Sequence, residues 1–284
     1  FEGIGFAGIA VGTLVAQYSG LAAAVLLVLV KYRKNPLSAL GRADLKEVFK
    51  GSETRRFFVM NTDLFVRSLC FIAIYIGFTV ISARYGDLLL AVSSILMKLL
   101  MIFSYFTDGF AYAGEAMTGK YIGAKDGLML RRTVKCTFVW SMGIALIFMG
   151  IYHFAGVPML KIMTSDPQVV EASVRYLPWL LLMPVIGCAA FTWDGIYIGA
   201  TASKAIRNSM LWAAFFFALV WFIGILCLNH FMPSAAASSS AAPATRYGIL
   251  AMHILMAAYF AHLLARTVYL TVRYRKDVVC SSES

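Results

Sequence analysis

Charged residues are scarce in this chain. Asp, Glu, Lys and Arg together make up 14% of the 284 residues, whereas hydrophobic residues make up 61%. Soluble globular domains carry about 25% charged residues, so this composition excludes an ordinary soluble protein. The mean hydropathy of +0.77 points the same way. The chain is therefore predicted to be an integral membrane protein.

Two further patterns are missing, and each excludes a class of structure. Alternation of apolar and polar residues in segments of about ten, which is typical of outer-membrane barrels, does not occur. The five cysteines show neither a C-x-x-C pair nor the spacing of a zinc site. A membrane barrel and a structural zinc domain are thus both disfavoured.

Long hydrophobic runs, by contrast, are plentiful. A helix needs about 20 apolar residues to cross the hydrocarbon core of a bilayer, and in lipid its backbone polar groups must be paired within the segment. The sequence therefore predicts an all-α, polytopic transmembrane helical bundle. We place its seven spans at Ile4 to Val30, Phe57 to Ala83, Leu88 to Tyr112, Cys136 to Leu160, Leu177 to Ala202, Met210 to Phe231 and Tyr247 to Val272.

The distribution of the 25 basic residues predicts the orientation in the membrane. Short cytoplasmic loops collect Lys and Arg, and most of these residues follow the first, third, fifth and last spans. The opposite loops hold only Arg84, Lys161, Arg175 and Arg246. The carboxyl-terminal tail is therefore predicted to be cytoplasmic and the amino terminus outside. The net charge of +11 is explained by topology, so no nucleic-acid partner is expected.

Two segments between spans carry local signals. Residues 31–56 alternate apolar and charged positions, which predicts an amphipathic connector on the cytoplasmic membrane surface. In MTSDPQVVEASVRY, Ser165 or Asp166 suits a helix N-cap and Pro167 the first helical position, so a short helix is predicted before the fifth span.

The chain also lacks an initiating Met and a signal peptide, and we expect it to be part of a longer protein.

Two aspartates lie inside apolar stretches, each followed by glycine: Asp108 and Asp194. An ionised carboxylate at mid-membrane costs roughly 2.5 to 3.5 kcal/mol, so it needs a partner, a proton or water. Counted from Lys120 and Lys204, both lie roughly 15 to 18 Å from the cytoplasmic basic belt. A role in ion-coupled transport would explain why carboxylates are present in the membrane despite this cost.

Other charged residues share the same half of the membrane, and two interpretations stay open for each. Asp63 and Arg67 are four residues apart on one helix face, so they form either a structural ion pair or part of a transport site. Glu115, seven residues after Asp108, suits a solvated carboxylate or a gate. Arg266 is expected to snorkel or to form an ion pair. Lys98 is too deep to snorkel easily, and whether it lines a cavity stays open.

Asp194 is the stronger candidate of the two aspartates. Pro184 and Gly187 precede it on the same helix, and a proline kink beside a small residue opens the backbone to water or an ion. Asp108 together with Glu115 suits a structural or gating face near the cytoplasm. The two aspartates are therefore predicted to form two separate stations rather than one site.

At this point the residues resemble a known family. The segments NTDLFVRSL, DLLLAVSSILMKLLMIFSYFTDGFAYAGEAMTGKYIGAKD, MTSDPQVVEASVRYL and FTWDGIYIGATASKAIRNS are similar to the carboxyl-terminal half of multidrug and toxic compound extrusion (MATE) transporters, in their DNA-damage-inducible protein F-like branch. GIGFAGIAVGTLVAQ resembles the sixth helix of that family and the later spans its seventh to twelfth helices. The resemblance covers nearly the whole chain.

The resemblance implies a domain arrangement. Residues 1–30 would be the last helix of an amino-terminal lobe, 31–56 a connector, 57–272 a six-helix carboxyl-terminal lobe and 273–284 a cytoplasmic tail. The expected activity is secondary active efflux of organic, often cationic, compounds by alternating access in exchange for protons or sodium. The protein would not be an enzyme, and its partners would be small-molecule substrates, membrane lipids and the amino-terminal lobe. A bacterial inner membrane is the expected location.

The family pattern also assigns roles to residues. Asp194 matches the acidic position on the tenth helix that serves cation coupling in related members, and it is the expected position of any sodium ion. Asp63 and Asp108 are the other coupling candidates. Asn61, Arg67, Glu115, Lys98 and Arg266 are expected to form a polar network or gate. No cofactor other than the coupling ion is implied.

Two rival functions stay open. A lipid-linked precursor flippase shares the wider architecture but needs a strongly cationic central cavity, to which Lys98 and Arg67 would contribute. An intramembrane aspartyl protease would use Asp108 and Asp194 as a dyad that shares a proton. Such a protease calls for Tyr before the first aspartate and a GxGD context at the second, whereas this chain has Thr107 and Trp193.

Overall fold

The computed structural model describes residues 5–32, 52–232 and 246–280, and the regular structure within these ranges is helical, with no strand. Seven of the described helices are long and apolar enough to cross a membrane. The prediction of an all-α polytopic bundle is therefore confirmed. The helices are α1 (Gly5–Tyr32), α2 (Ser52–Ala83), α3 (Asp87–Gly123), α4 (Gly127–Met163), α5 (Pro167–Val174), α6 (Leu177–Gly199), α7 (Ser203–Phe231) and α8 (Arg246–Tyr274), and a π-helical segment, Arg275–Val279, follows α8.

Helices α3 and α4 are longer than the spans predicted for them. Each has 37 residues, which at 1.5 Å per residue gives about 55 Å, well beyond the ~30 Å hydrocarbon core. The predicted spans, Leu88 to Tyr112 and Cys136 to Leu160, cover only part of these helices. Hydropathy identifies the apolar part of a helix, whereas the backbone stays helical past it until a capping residue or turn ends it.

Local capping signals, in contrast, are confirmed. The Asp166 side chain accepts a hydrogen bond from the Gln168 backbone N–H at 2.9 Å, and Pro167 is the first residue of α5. Asp126 caps α4 in the same way, through the Met129 N–H at 2.9 Å. Each carboxylate pairs a backbone donor that the first helical turn leaves without a partner.

The chain divides into two compact units, residues 1–57 and 58–284. Unit 1 contains α1, and unit 2 contains the helices from most of α2 onwards. Most of the predicted connector lies outside the described residues, so its amphipathic helix and the domain boundaries stay predictions. All features discussed below belong to unit 2.

Helix α6 lies at the centre of unit 2, where it packs against α3, α4 and α8. Its contact with α3 depends on two glycines one helical turn apart. A Cβ atom added to Gly195 would overlap the carbonyl oxygen of Ala111, and one added to Gly199 would overlap the carbonyl oxygen of Glu115. The two backbones therefore touch, as small residues at this spacing allow, and Asp194 is brought beside the charged part of α3.

Helix α6 is also joined to α8 by hydrogen bonds. Trp193 Nε1 donates to Thr271 Oγ1 at 2.8 Å, and the Tyr197 hydroxyl donates to the Leu270 carbonyl oxygen at 2.5 Å. Tyr197 and Leu270 are fully buried, so the second of these bonds is shielded from competing water. The half of α6 that carries Asp194 is thus held rigidly against α8.

Helix α2 has the fewest close backbone approaches of the spanning helices in unit 2. Its apolar contacts include Phe78, which packs edge-on against Tyr259 with ring centroids 5.6 Å apart, and Gly77, which faces Phe217. Polar contacts join the first half of α2 to the rest of unit 2. A helix packed in this way can shift at a lower cost than α6, which is surrounded by neighbours.

Because the α3–α6 contact excludes a side chain, we expect Gly195→Ala and Gly199→Ala to destabilise the protein by roughly 1 to 3 kcal/mol each. Thermal unfolding in detergent measures the effect. The control is Gly150→Ala on α4, where an added Cβ has no neighbour within 4 Å; it should be neutral or slightly stabilising. Equal melting temperatures for all three variants would contradict the proposed contact.

Candidate functional site

The Asp194 carboxylate binds arginines from two other helices. Its Oδ2 atom accepts hydrogen bonds from Arg67 on α2 and from Arg266 on α8, and its Oδ1 atom accepts one from Arg266 Nε at 3.2 Å. Asp194 is only 6% exposed. A buried charge of this kind is stable only when it is paired and hydrogen-bonded, and here both carboxylate oxygens are engaged.

The two arginines differ in their surroundings. Arg266 is 1% exposed, and its guanidinium lies 5.9 Å from the centroid of the Phe191 ring. The Arg67 side chain is 29% exposed. Arg67 can exchange its carboxylate for water, whereas Arg266 would be left buried without a partner. Arg266 is therefore the fixed partner of Asp194 and Arg67 the exchangeable one.

A cavity of about 460 Å³ opens beside this ion pair, with walls from α2, α3, α6 and α8. Charged residues of both signs line it together with aromatic side chains. The charged residues are Arg67, Asp108, Glu115, Asp194 and Arg266, and the aromatic ones are Phe71, Tyr105, Tyr112 and Phe191. Among these described residues, carboxylates outnumber arginines by one.

Asp108 and Asp194 therefore line the same cavity, and the prediction of two separate stations is wrong. The backbone contact of α3 with α6 places them there, and the charges of Arg67 and Arg266 act on Asp108 as well. Depth along a helix carries no information about which way that helix faces. The tertiary contact decides that.

A second ion pair joins α2 to α7. Asp63 is 2% exposed; it accepts hydrogen bonds from Arg207 Nη1 at 2.5 Å and from Ser203 Oγ at 2.8 Å. The sequence allowed Asp63 to pair with Arg67 on its own helix, but each of the two contacts a different helix instead. The predicted spans leave Arg207 between the fifth and the sixth, whereas the structure places it in the first turns of α7. Nothing local in the sequence shows that it pairs with a buried carboxylate.

Three of the expected site residues lie elsewhere. Among the described residues that line the cavity, Asn61, Asp63 and Lys98 do not occur. Lys98 is exposed on α3, two helical turns from Tyr105 on the same face. The expected roles of these residues in coupling, a polar network or a gate stay predictions.

The proline in α6 does not form part of the cavity. Pro184 and Gly187 are buried, and the helix continues through both. A Cβ added to Gly187 would meet the rings of Phe191 at 3.2 Å and Phe103 at 3.7 Å, so aromatic packing fills the space that was expected to admit water. The cavity meets α6 one turn beyond Gly187, at Phe191, and Asp194 lies about one turn further.

Two tyrosines of the cavity were missed in the sequence. Tyr105 and Tyr112 lie on α3 at helical spacing with Asp108 and Glu115, so all four lie along one face. The spacing itself is visible in the sequence. It becomes a signal only when the face that carries the charges is known to line a cavity.

No group of three or more His, Cys, Asp and Glu residues within the described ranges has the geometry of a metal site. Arg67 and Arg266 line the cavity together with its carboxylates. A sodium ion at Asp194 would lie against two guanidinium groups, and both oxygens of the carboxylate already accept hydrogen bonds. A metal cation bound directly to Asp194 would therefore have to displace an arginine.

Comparison with known proteins identifies the family. Residues 64–220 match the family described as MatE. The chain belongs to the MatE family. The matched range contains Arg67, Asp108 and Asp194, whereas Arg266 lies beyond it. The resemblance noted in the sequence is thus confirmed, and the chain is a multi-pass membrane protein of a transporter family.

Three curated MatE relatives show what share of a family member this chain spans. DNA damage-inducible protein F of Escherichia coli is 36% identical over 214 residues, which is 75% of this chain and 45% of that protein. The probable multidrug resistance protein NorM of Photorhabdus laumondii is 25% identical, over 51% of this chain and 30% of that protein. Protein DETOXIFICATION 42 of Arabidopsis thaliana is 24% identical, over 52% of this chain and 27% of that protein. The match covers less than half of each relative, and no solved structure matches the chain.

The unequal exposure of the two arginines leads to a stability prediction. Arg266→Gln leaves the buried Asp194 with one partly exposed partner and should cost about 3 to 5 kcal/mol. Arg67→Gln should cost about 1 kcal/mol or less, because Arg266 still holds the carboxylate. Thermal unfolding of both variants measures the difference. In the double variant Arg266→Gln, Asp194→Asn, part of the loss should be recovered; purely additive losses would contradict direct pairing.

The second ion pair predicts that two basic residues on α7 differ in how much they stabilise the protein. Arg207→Gln removes the charged partner of the buried Asp63 and should destabilise the protein by roughly 1 to 3 kcal/mol. The matched control is Lys204→Gln, an exposed basic residue one turn away on the same helix, which should change stability by about 0.5 kcal/mol or less. If both variants melt at the same temperature, the pairing with Asp63 contributes nothing.

Proposed function

We propose that the chain forms the carboxyl-terminal part of a secondary active multidrug efflux antiporter, which exports organic compounds in exchange for protons. One observation carries this proposal. Asp194, buried in a spanning helix, is shared by a fixed and an exchangeable arginine at the wall of a cavity. The partly exposed Arg67 gives the carboxylate a partner that it can release towards the cavity, whereas Arg266 is held in place by its burial.

The proposed coupling step is protonation of Asp194. A neutral carboxyl no longer attracts a guanidinium by charge, so the main interaction that holds Arg67 at α6 is lost. Since Arg67 is partly exposed, it turns to water, whereas Arg266 stays buried between α8 and Phe191. Loss of a charged partner in a low-dielectric site is worth a few kcal/mol, enough to shift a two-state equilibrium.

The part that moves in this proposal is α2. It carries Arg67, forms one wall of the cavity and is the most loosely packed spanning helix of unit 2. Helix α6, in contrast, is held to α3 by backbone contact and to α8 by hydrogen bonds. A change in charge at Asp194 would therefore displace α2 and alter access to the cavity, as alternating access requires.

The cavity also supports the proposed substrate class. Its volume of about 460 Å³ lies within the ~300 to 1,000 Å³ typical of sites for small organic molecules. Aromatic faces such as those of Tyr105 and Tyr112 attract organic cations, and Asp108 and Glu115 supply negative charge that Asp194 does not. The proposed substrates are therefore apolar organic compounds, often cationic.

Neither rival function gains support from this geometry. The flippase needs a strongly cationic cavity, but the described lining residues carry more carboxylates than arginines. The aspartyl protease needs two carboxylates that share a proton, but the oxygens of Asp194 are held by arginines. Transport without catalysis is thus the proposed activity.

The remaining assignments follow from the proposed function. We place the protein in a bacterial inner membrane with the carboxyl terminus in the cytoplasm, as the distribution of basic residues predicts. An amino-terminal lobe of the same protein would supply the opposite wall of the transport pathway, and no nucleic acid or cofactor takes part.

Efflux of a fluorescent organic cation from liposomes that contain the full-length protein tests the coupling step. With an imposed proton gradient, Asp194→Asn should reduce efflux to the level of protein-free liposomes, because the group that binds the proton is gone. The control is Asp87→Asn, an exposed carboxylate at the first turn of α3, which should transport like the wild type. Substrate binding without a gradient shows whether the Asp194→Asn protein is folded.

Two results would contradict this assignment. Proton-driven efflux that survives in Asp194→Asn would move the coupling to another residue. Efflux that responds to a sodium gradient and not to a proton gradient would replace the proton by sodium as the coupling ion.

A further inference from the structure

A second and larger cavity lies away from Asp194, between the end of α7 and the start of α8. The two helices touch at Gly224, where an added Cβ would overlap the side chain of Ile254. Beyond this contact they leave a groove of about 900 Å³ between them. Gly224, Ile254 and Ala257 line one end of it, and Phe231 and Arg246 lie at its other end.

The contacts that join the two helix ends do not fill this groove. The Tyr247 hydroxyl donates a hydrogen bond to Asn229 Oδ1 at 2.5 Å, and the Tyr247 ring packs against Tyr85 at 6.2 Å. Neither Tyr247 nor Asn229 is among the described residues that line the groove. The groove therefore lies beside the contacts that join the ends of α7 and α8, and those contacts do not close it.

The lining of the groove is mainly apolar and partly exposed. Cys227, Phe231 and Leu250 line it and are exposed at the surface. Both helices are long and apolar enough to span a membrane, so an exposed apolar surface between them is open to acyl chains. Because close packing is strongly favoured over empty space, an apolar chain from the bilayer is the natural occupant of such a groove.

The polar groups of the groove are hydrogen-bond donors. Arg246 is the first residue of α8 and His253 lies seven residues later, so both occupy one face of the helix. His253 Nδ1 accepts a hydrogen bond from Trp179 Nε1 at 2.9 Å, which leaves Nε2 to carry the proton of the neutral ring. Arg246 is exposed and can extend to the headgroup region while its stem stays against the helix.

We propose that this groove binds one anionic phospholipid. An acyl chain lies along the apolar wall between α7 and α8, and the phosphate group binds Arg246, with His253 as a second donor. Charge complementarity selects an anionic headgroup, and the apolar lining selects a lipid rather than free phosphate. This site is independent of Asp194 and of the proposed transport activity, since it requires only that the chain spans a membrane.

Native mass spectrometry of the full-length protein, reconstituted with equal amounts of phosphatidylglycerol and phosphatidylcholine of identical acyl chains, tests the headgroup selection. The wild type should retain phosphatidylglycerol preferentially. Arg246→Gln should reduce this preference roughly fivefold, the size expected for one cation at an anionic lipid surface. The matched control is Lys161→Gln, an exposed basic residue at the end of α4, which should leave the preference unchanged.

A second variant tests the acyl-chain position. Cys227→Trp places a large ring in the groove and should reduce retention of both lipids, and Leu250→Trp from the opposite wall should do the same if the first variant does not fold. Equal retention of the two lipids by the wild type, or the same loss in Lys161→Gln as in Arg246→Gln, would overturn the proposal. Unchanged retention in a folded groove-filling variant would overturn it too, since the groove would then hold something other than lipid.

Discussion

A carboxylate buried in a membrane-spanning helix must be paired with positive charge or lose its own charge, and the candidate site is organised around that requirement at Asp194. Arg67 and Arg266 reach it from two different helices. The pairing is possible because Gly195 and Gly199 let α6 lie directly on the backbone of α3. Residues of this contact, Ala111, Glu115 and Gly195, also line the cavity, so the close packing of α6 on α3 sets the position of its wall.

The helices around Asp194 are held with unequal strength. Trp193 and Tyr197 join α6 to α8 by two hydrogen bonds, of which the one from Tyr197 is buried. Helix α2 is joined to this part of the unit mainly by charge, through Asp63 to α7 and Arg67 to α6, one helical turn apart. Ion pairs respond to protonation whereas apolar packing does not, so the proposed coupling step acts on the contacts of α2.

Much of the fold was predictable because its causes are local or compositional. Apolar runs long enough to span a bilayer follow from composition, and they predicted seven spans that the described helices match. The cap of α5 also follows from adjacent residues, since Asp166 and Pro167 need only their own neighbours to begin a helix. The ends of α3 and α4 were not predictable, because hydropathy falls off before the backbone leaves the helix.

The sequence by itself determined that Asp194, Asp108, Arg67 and Arg266 lie within spans, where each needs a partner, because the cost of burying a charge depends only on depth and surroundings. It did not determine the partners. Asp63 lies one turn from Arg67, but it pairs with Arg207, which is 144 residues away along the chain. Such pairings depend on how each helix is rotated about its axis and on which helix it contacts. The sequence of one helix does not specify which residues of another helix face it. Only the tertiary structure placed two aspartates in one cavity.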